Sequence, residues 1–112
     1  MTITKQIANI MGWEYVYYLD PSLGKYWADK NGEYVCNHLD FQYYLPHAKL
    51  LQARMVDDGW DVYVGQRSGM IYYPFKSWAS KGKEQIEILA TDTEPAAIVE
   101  LFKKVYGIKE GA

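Results

Sequence analysis

The chain has a single cysteine, Cys36, among its 112 residues. One cysteine excludes an internal disulfide framework and fits a reducing compartment. No segment approaches the roughly 20 apolar residues that a membrane-spanning helix needs. The opening MTITKQIANIMGW holds no apolar run of signal-peptide length either. We therefore expect a cytosolic protein.

An excess of charge of one sign is also lacking. The chain carries 12 Lys and Arg against 14 Asp and Glu, a net charge of −2. This balance excludes an electrostatic match to long nucleic acid, and −2 is too small for mimicry of it. Internal repeats and low-complexity linkers are absent too, and an apolar content of 49% is ordinary for a globular chain. We expect residues 1–112 to form a single domain.

Tyrosine, in contrast, is abundant. The chain has 4 Trp, 11 Tyr and 3 Phe, and residues 12–27, GWEYVYYLDPSLGKYW, hold six of these rings. A core of this size has room for roughly half of the rings. Strand and helix periodicity assigns to the core Trp13, Tyr15, Trp60, Phe75 and Phe102. The excess tyrosines must in part face outward, either as ordinary strand residues or as a binding face; they are Tyr18, Tyr43, Tyr44, Tyr63, Tyr72 and Tyr73.

The spacing of apolar residues predicts the element order α-β-β-β-α-β-β-β-α. The first helix ends at Gly12, the second starts near Leu45 with Ala48, Leu51, Met55 and Leu50 as candidates for its inner stripe, and Thr93 caps the third. Short hairpin links between the strands predict an antiparallel sheet of about five to six strands. With three helices packed on that sheet, we expect an α+β domain of the αβα-sandwich type.

Three short stretches are similar to parts of a known family. Met11-Gly12-Trp13 close the first helix, Asp58-Gly59-Trp60 close the second, and residues 90–98 (ATDTEPAAI) open the third. Over most of the chain this resembles the phage ABA sandwich domain, a family of small bacteriophage and prophage proteins. The tyrosine-rich stretch from Tyr15 to Tyr44 departs from the family's pattern, so a function housed there would be specific to this member.

The resemblance implies a phage-encoded protein that works in the cytoplasm of an infected host cell. The family has no established catalytic residues to carry over. Small phage proteins of this kind often blunt host defences, and some, such as Thoeris and CBASS anti-defence proteins, are α+β oligomers that sequester nucleotide signals. Extending that role to this chain is an analogy of size, fold class and lifestyle.

One row of residues has the composition of a catalytic group. Cys36, His38 and Asp40 alternate, so on an extended strand a thiol, an imidazole and a carboxylate would point one way. Neighbours on one strand rarely supply a complete triad, however. A zinc site would need four ligands, and Cys36, His38 and His47 provide three without a recognised spacing. We expect no enzyme, no metal and no cofactor.

Acidic residues also cluster where the second helix ends. They are Asp57, Asp58 and Asp61. Paired carboxylates can serve as acid and base or hold a divalent ion. Gly59 and Trp60 force a turn between them, and acidic loop residues are usually solvated, so we expect no site here.

Two basic hairpin loops are candidates for binding an anion. GQRSGM carries Arg67 and Ser68, SKGK carries Lys81 and Lys83, and Lys76 lies on the strand between them. Guanidinium, ammonium and glycine amide groups together can surround a phosphate. The loops lie at opposite ends of their shared strand, so only an oligomer could close one pocket from both. We therefore expect a homo-oligomer.

The chain is thus predicted to sequester a nucleotide, linear or cyclic, that serves as an immune signal. Rings would stack on the bases, and Arg and Lys would contact the phosphates, without turnover. The alternative is a protein-binding inhibitor of a host defence enzyme that docks through a tyrosine-rich surface. Neither hypothesis involves a membrane. The candidate ligand-binding residues are Tyr18, Tyr26, Trp27, Arg67, Ser68, Tyr73, Lys76, Lys81 and Lys83.

Overall fold

A computed structural model describes residues 2–41, 43–66, 69, 72 and 74–109. The described residues divide into two compact units. The first contains residues 2–39 and Lys109, and the second is Asp40–Ile108. None of the helices in the described ranges is long and apolar enough to cross a membrane.

The first unit opens with helix α1 (Ile3–Met11). Its N-terminus is capped by Thr2, whose hydroxyl accepts a hydrogen bond from the Lys5 backbone N–H at 3.2 Å. It ends at Gly12, which has a φ of 77° that glycine adopts without strain. The C-terminal end of this helix therefore lies where the sequence predicts it.

A three-stranded antiparallel sheet follows in the order β1 (Glu14–Tyr17), β2 (Lys25–Ala28), β3 (Tyr34–Cys36). A short 3-10 turn, Pro21–Leu23, joins the first two strands, and the Asp20 side chain caps it. The register places Tyr15 opposite Trp27 and Val16 opposite Tyr26. Because successive residues of a strand point to opposite faces, Trp27 and Tyr26 lie on opposite faces of this sheet.

The second unit contains α2 (Leu45–Asp57), β4 (Asp61–Gln66), β5 (Phe75–Lys81), β6 (Glu84–Thr91) and α3 (Glu94–Val105). The three strands form an antiparallel sheet in chain order. Helix α3 packs on β5 and β6, and α2 packs on α3. This arrangement buries the apolar stripes of both helices in one core.

Small residues on β5 let α3 approach the sheet closely. Ser77 and Ala79 are buried, and the Ser77 hydroxyl donates to the Ala97 carbonyl at 2.8 Å. Helix α3 in turn buries Ile98 and Phe102. The hydrogen bond to Ala97 offsets the cost of removing the buried hydroxyl from water, so this contact is compatible with a tight interface.

The helix stripes and caps largely agree with the sequence. Ala48, Leu51 and Met55 of α2 are buried as predicted, whereas Leu50 is exposed. Thr93 caps α3, because its hydroxyl accepts from the Ala96 backbone N–H at 3.2 Å. The spacing rules therefore identified the helices and most of their buried faces.

The α+β class with three helices and six strands is confirmed within the described residues, but the six strands do not form one sheet. They form two antiparallel sheets of three, and each observed pairing joins consecutive strands of a hairpin. Helix α2 separates the two sets along the chain. Hairpin signals specify pairing only between sequence neighbours, so they could not distinguish one sheet of six from two of three.

The core aromatics are mostly as expected. Trp13, Trp60 and Phe102 are buried, and Phe75 is half-buried. The assignment of Tyr15 to the core is wrong, because its side chain is 49% exposed. Alternation places Tyr15 on one face of β1, but only the packing of other elements decides whether that face is covered.

Candidate binding site

The first sheet carries a pocket on each face. The one that contains Trp27, here called the tryptophan pocket, has a volume of about 520 Å³. Its lining includes Lys5 and Asn9 of α1 with the capping residue Thr2, and Tyr15, Lys25 and Trp27 of the sheet. A volume of this size lies in the usual range of about 300–1,000 Å³ for small-ligand pockets.

Two aromatic rings form one wall of the tryptophan pocket. Tyr15 and Trp27 are cross-strand partners, and their rings stack with centroids 4.9 Å apart and planes inclined by 29°. Since about half of Tyr15 is exposed, the pair presents aromatic surface to a ligand. Such a surface suits a planar heterocycle, which gains about 1–3 kcal/mol by stacking.

Two lysines stand beside these rings. The Lys25 Nζ lies 4.6 Å from the Tyr17 ring centroid and 5.4 Å from that of Tyr15. Lys25 and Lys5 both line the pocket, and Glu14 is the one acidic residue among its described lining residues. The pocket therefore carries a positive balance on a chain whose net charge is −2, which favours an anionic group next to the rings.

The opposite face holds the tyrosine pocket, with a volume of about 560 Å³. It is lined by Tyr18, Leu19, Asp20, Leu23, Tyr26 and Tyr34. The three rings form a continuous row, with centroid distances of 4.7 Å from Tyr18 to Tyr26 and 5.6 Å from Tyr26 to Tyr34. This pocket has an acidic residue where the tryptophan pocket has lysines.

The sequence-predicted candidates of the first unit are thus divided between two sites. Tyr18 and Tyr26 lie together in the tyrosine pocket, and Trp27 lies in the tryptophan pocket on the other face. The sequence alone does not indicate Tyr15 and Lys25 as site residues. They share a face of the sheet with Trp27, but that follows only once the register of the hairpin is known.

The remaining candidates belong to the second hairpin system. Arg67, Ser68 and Tyr73 lie outside the described residues. Lys76 is exposed near the start of β5, and Lys81 is the last residue of that strand. The described lysines are therefore at opposite ends of β5, as the hairpin topology predicts.

Lys81 already has a place in the second unit. Its Nζ donates to the Asp58 carbonyl at 2.7 Å and lies 5.9 Å from the Trp60 ring centroid. Lys83, which follows the turn at Gly82, is exposed. The Lys81 ammonium group therefore links the end of β5 to the end of α2. Its role in binding a phosphate stays a prediction.

The row of Cys36, His38 and Asp40 lacks the features of a nucleophilic site. Burial raises the pKa of the Cys36 thiol, and a hydrogen bond from the His38 backbone only partly offsets this. An activated cysteine needs the opposite shift. The Asp40 carboxylate accepts from the Tyr43 backbone N–H at 3.1 Å, which makes it part of a turn.

Two of the candidate metal ligands, His47 and Asp58, accept hydrogen bonds from other groups of the protein. His47 Nδ1 accepts from the Asp40 backbone N–H at 3.0 Å. Asp58 accepts from the Tyr106 hydroxyl and from Arg54 Nε, the latter at 2.9 Å. In the part of the chain that the structure describes, no three His, Cys, Asp or Glu side chains are grouped to hold a metal ion.

Comparisons with known proteins give no further guide to the site. No protein-family model matches the chain, and neither a curated protein nor a solved structure is significantly similar to it. The resemblance to the phage ABA sandwich domain therefore stays a prediction.

Proposed function

We propose that the protein is a non-enzymatic binding protein that sequesters a nucleotide in its tryptophan pocket. The base would stack on Tyr15 and Trp27, and Lys5 and Lys25 would contact the phosphate. The observation that carries the proposal is the presence of two stacked rings and two lysines in one pocket of about 520 Å³. A nucleotide combines the same two features, a planar ring and an anion.

The biological setting of this proposal rests on the resemblance to the phage ABA sandwich domain. A phage-encoded protein in the host cytoplasm that bound a cyclic nucleotide tightly would remove an immune signal without turnover. The proposal also includes a homo-oligomer, because a second copy of the chain could cover the open side of the tryptophan pocket. Analytical ultracentrifugation with and without cyclic di-AMP tests this part, and a monomer under both conditions would contradict it.

The proposed contacts are tested by comparing AMP with adenosine in calorimetric titrations. Lys25→Met should weaken AMP binding about tenfold, because it removes one charge-assisted contact to the phosphate. The same variant should leave adenosine binding nearly unchanged, and Trp27→Leu should weaken both ligands. The control is Lys104→Met, which removes an exposed charge from α3.

Two results would contradict the assignment. Equal affinity of wild type and Lys25→Met for AMP would remove the lysine from the site. A loss of AMP affinity caused by Lys83→Met instead would place the phosphate contacts at the β5–β6 turn, one of the two loops that the sequence indicates.

Raising the salt concentration should weaken AMP binding more than adenosine binding, since exposed charges are screened.

A second candidate function is a protein-binding inhibitor of a host defence enzyme. The observation that favours it is the β1–β2 connection, where Leu19 is fully exposed and Leu23 is 66% exposed. Tyr17 beside them is exposed too. Clustered apolar and aromatic side chains on a surface are typical of protein interfaces. A pull-down from host lysate that captures one enzyme with wild type, but not with the double variant Leu19→Ser and Leu23→Ser, would support this function.

A further inference from the structure

The tyrosine row on the second face is held in place by one amide. The Tyr34 hydroxyl donates to Asn37 Oδ1 at 2.6 Å, and Asn37 Nδ2 donates to the Tyr18 hydroxyl at 2.7 Å. The two outer hydroxyls of the row are thus engaged by a single side chain. With these two hydroxyls engaged, the row offers mainly aromatic surface to a ligand.

The other residues of the tyrosine pocket add apolar surface and one negative charge. Leu19 and Leu23 contribute aliphatic groups, and Asp20 is the one charged residue among the described lining residues. The Asp20 Oδ1 accepts from the Ser22 hydroxyl at 2.8 Å and from the Ser22 backbone N–H at 3.1 Å. These hydrogen bonds lower the pKa of Asp20 below its usual value, so its carboxylate stays ionised at neutral pH.

We propose that the tyrosine pocket is a second binding site, independent of the nucleotide site, and that it takes an alkylated ammonium cation. The faces of aromatic rings carry negative potential and attract cations within about 6 Å of the centroid. Methyl groups on the nitrogen would contact Leu19 and Leu23, and Asp20 would supply the opposite charge. A phosphate would meet no cation among the described lining residues and would be repelled by Asp20.

The opposite face of the same sheet provides an internal precedent. There the Lys25 ammonium group lies over the Tyr17 ring at 4.6 Å from its centroid. Tyrosine rings of this sheet therefore already hold a cation. An alkylated ammonium is a better occupant of an open apolar pocket than a primary one, because it loses less hydration when it binds.

The test compares two probes of nearly identical shape on the complete protein. Choline carries a trimethylammonium group, and 3,3-dimethylbutan-1-ol carries an uncharged tert-butyl group in its place. In NMR titrations we expect choline to bind about tenfold more tightly, with the largest shifts at Tyr18, Tyr26 and Tyr34. Equal affinity of the two probes, or no binding of choline, would overturn the proposal.

Variants distinguish the parts of the site. Asp20→Asn retains a capping side chain but removes the charge, and it should weaken choline binding severalfold. Tyr26→Leu removes the central ring and should abolish the preference for choline over its neutral analogue. Tyr43→Leu, which removes an exposed ring of the second unit, is the control and should change nothing. If Tyr26→Leu fails to fold, the comparison of probes on wild type and on Asp20→Asn still decides the matter.

The source of the cation is a separate arm of the experiment. A peptide with a trimethyllysine should bind more tightly than the same unmodified peptide if the ligand is carried on a protein. If free choline binds and the modified peptide does not, the ligand is a small molecule. Neither choline nor the trimethyllysine peptide should change AMP binding in the tryptophan pocket. Loss of AMP binding in Asp20→Asn would show that the two sites are not independent.

Discussion

The hydrogen bond between Tyr106 and Asp58 allows the stability of the second unit to be tested with a variant that lacks a single oxygen atom. The Tyr106 hydroxyl donates to Asp58 Oδ2, which also accepts from Arg54 Nε at 2.9 Å. The contact joins the C-terminal end of α2 to that of α3. Tyr106→Phe removes the hydroxyl and keeps the ring, whose centroid lies 4.4 Å from that of Phe102.

The magnitude follows from the type of bond and its exposure. A hydrogen bond to a charged group contributes about 1.5–3 kcal/mol when it is well shielded. The Asp58 side chain is 36% exposed, so water replaces part of the lost contact. We therefore expect Tyr106→Phe to lower the free energy of unfolding by about 1 kcal/mol at pH 8, measured by urea denaturation with circular dichroism.

The pH dependence gives a second and sharper expectation. Burial raises the pKa of Tyr106 to about 12, and the hydrogen bond to Asp58 and the charge of Asp58 add to this. A raised pKa of the folded state stabilises the protein below pH 10, and that stabilisation is lost as the pH rises from 10 to 12. At pH 11 about 1 kcal/mol should be lost from the wild type only, because solvent screening around this partly exposed hydroxyl reduces the full effect of the pKa shift.

The two proteins should therefore have similar stability at pH 11. The two proteins share every other side chain, so the contributions of those side chains cancel in the difference. A constant difference between pH 8 and pH 11, or a cost of Tyr106→Phe no greater than that of the exposed control Tyr43→Phe, would refute the reasoning. A double-mutant cycle with Asp58→Asn should show coupling of about 0.5–1 kcal/mol.

Two further substitutions test the packing and the caps. Phe102→Ala should lower the free energy of unfolding by about 3–5 kcal/mol, because the ring is fully buried and leaves a cavity; a near-neutral effect in the same urea assay would contradict the packing of α3. Thr93→Ala should cost about 1 kcal/mol through loss of the hydrogen bond to the Ala96 backbone N–H. Thr93→Ser should restore most of that stability, and failure of serine to do so would show that the hydroxyl does not act as the cap.

Local rules predicted the elements of this chain well, for physical reasons. Helix ends depend on groups within a few residues, and the caps at Thr2 and Thr93 and the terminator at Gly12 are local signals of this kind. Pro46 at the start of α2 is another, because proline is tolerated in a first turn. The strands were predicted from alternating apolar and polar residues and from the turn residues typical of hairpins.

Long-range features could not be obtained in the same way. The exposure of Tyr15 depends on what covers one face of β1, and alternation identifies a face without its surroundings. The proximity of Lys25 to Tyr17 depends on the hairpin register. The approach of Lys5 to Trp27 depends on the direction of the chain between α1 and the sheet. The tryptophan pocket shares with the sequence-based prediction the combination of rings with basic residues, but Trp27 is the one predicted site residue among its described lining residues.

Among the sequence-based expectations that stay predictions, two concern the chain as a whole. One is that residues 1–112 form a single domain, and the other is that a phage encodes the protein. The division into residues 2–39 with Lys109 and Asp40–Ile108 describes compactness within each part. Limited proteolysis that releases either unit as a stable fragment would contradict the single domain.

We propose above that the protein holds a nucleotide without changing it. The most direct measurement is native mass spectrometry of the purified protein after incubation with AMP, GMP, cyclic di-AMP and cyclic di-GMP, followed by analysis of the released ligand. We predict retention of at least one nucleotide, released chemically unchanged, and its loss in Trp27→Leu. Retention of none would contradict sequestration, and a modified nucleotide would contradict the absence of catalysis.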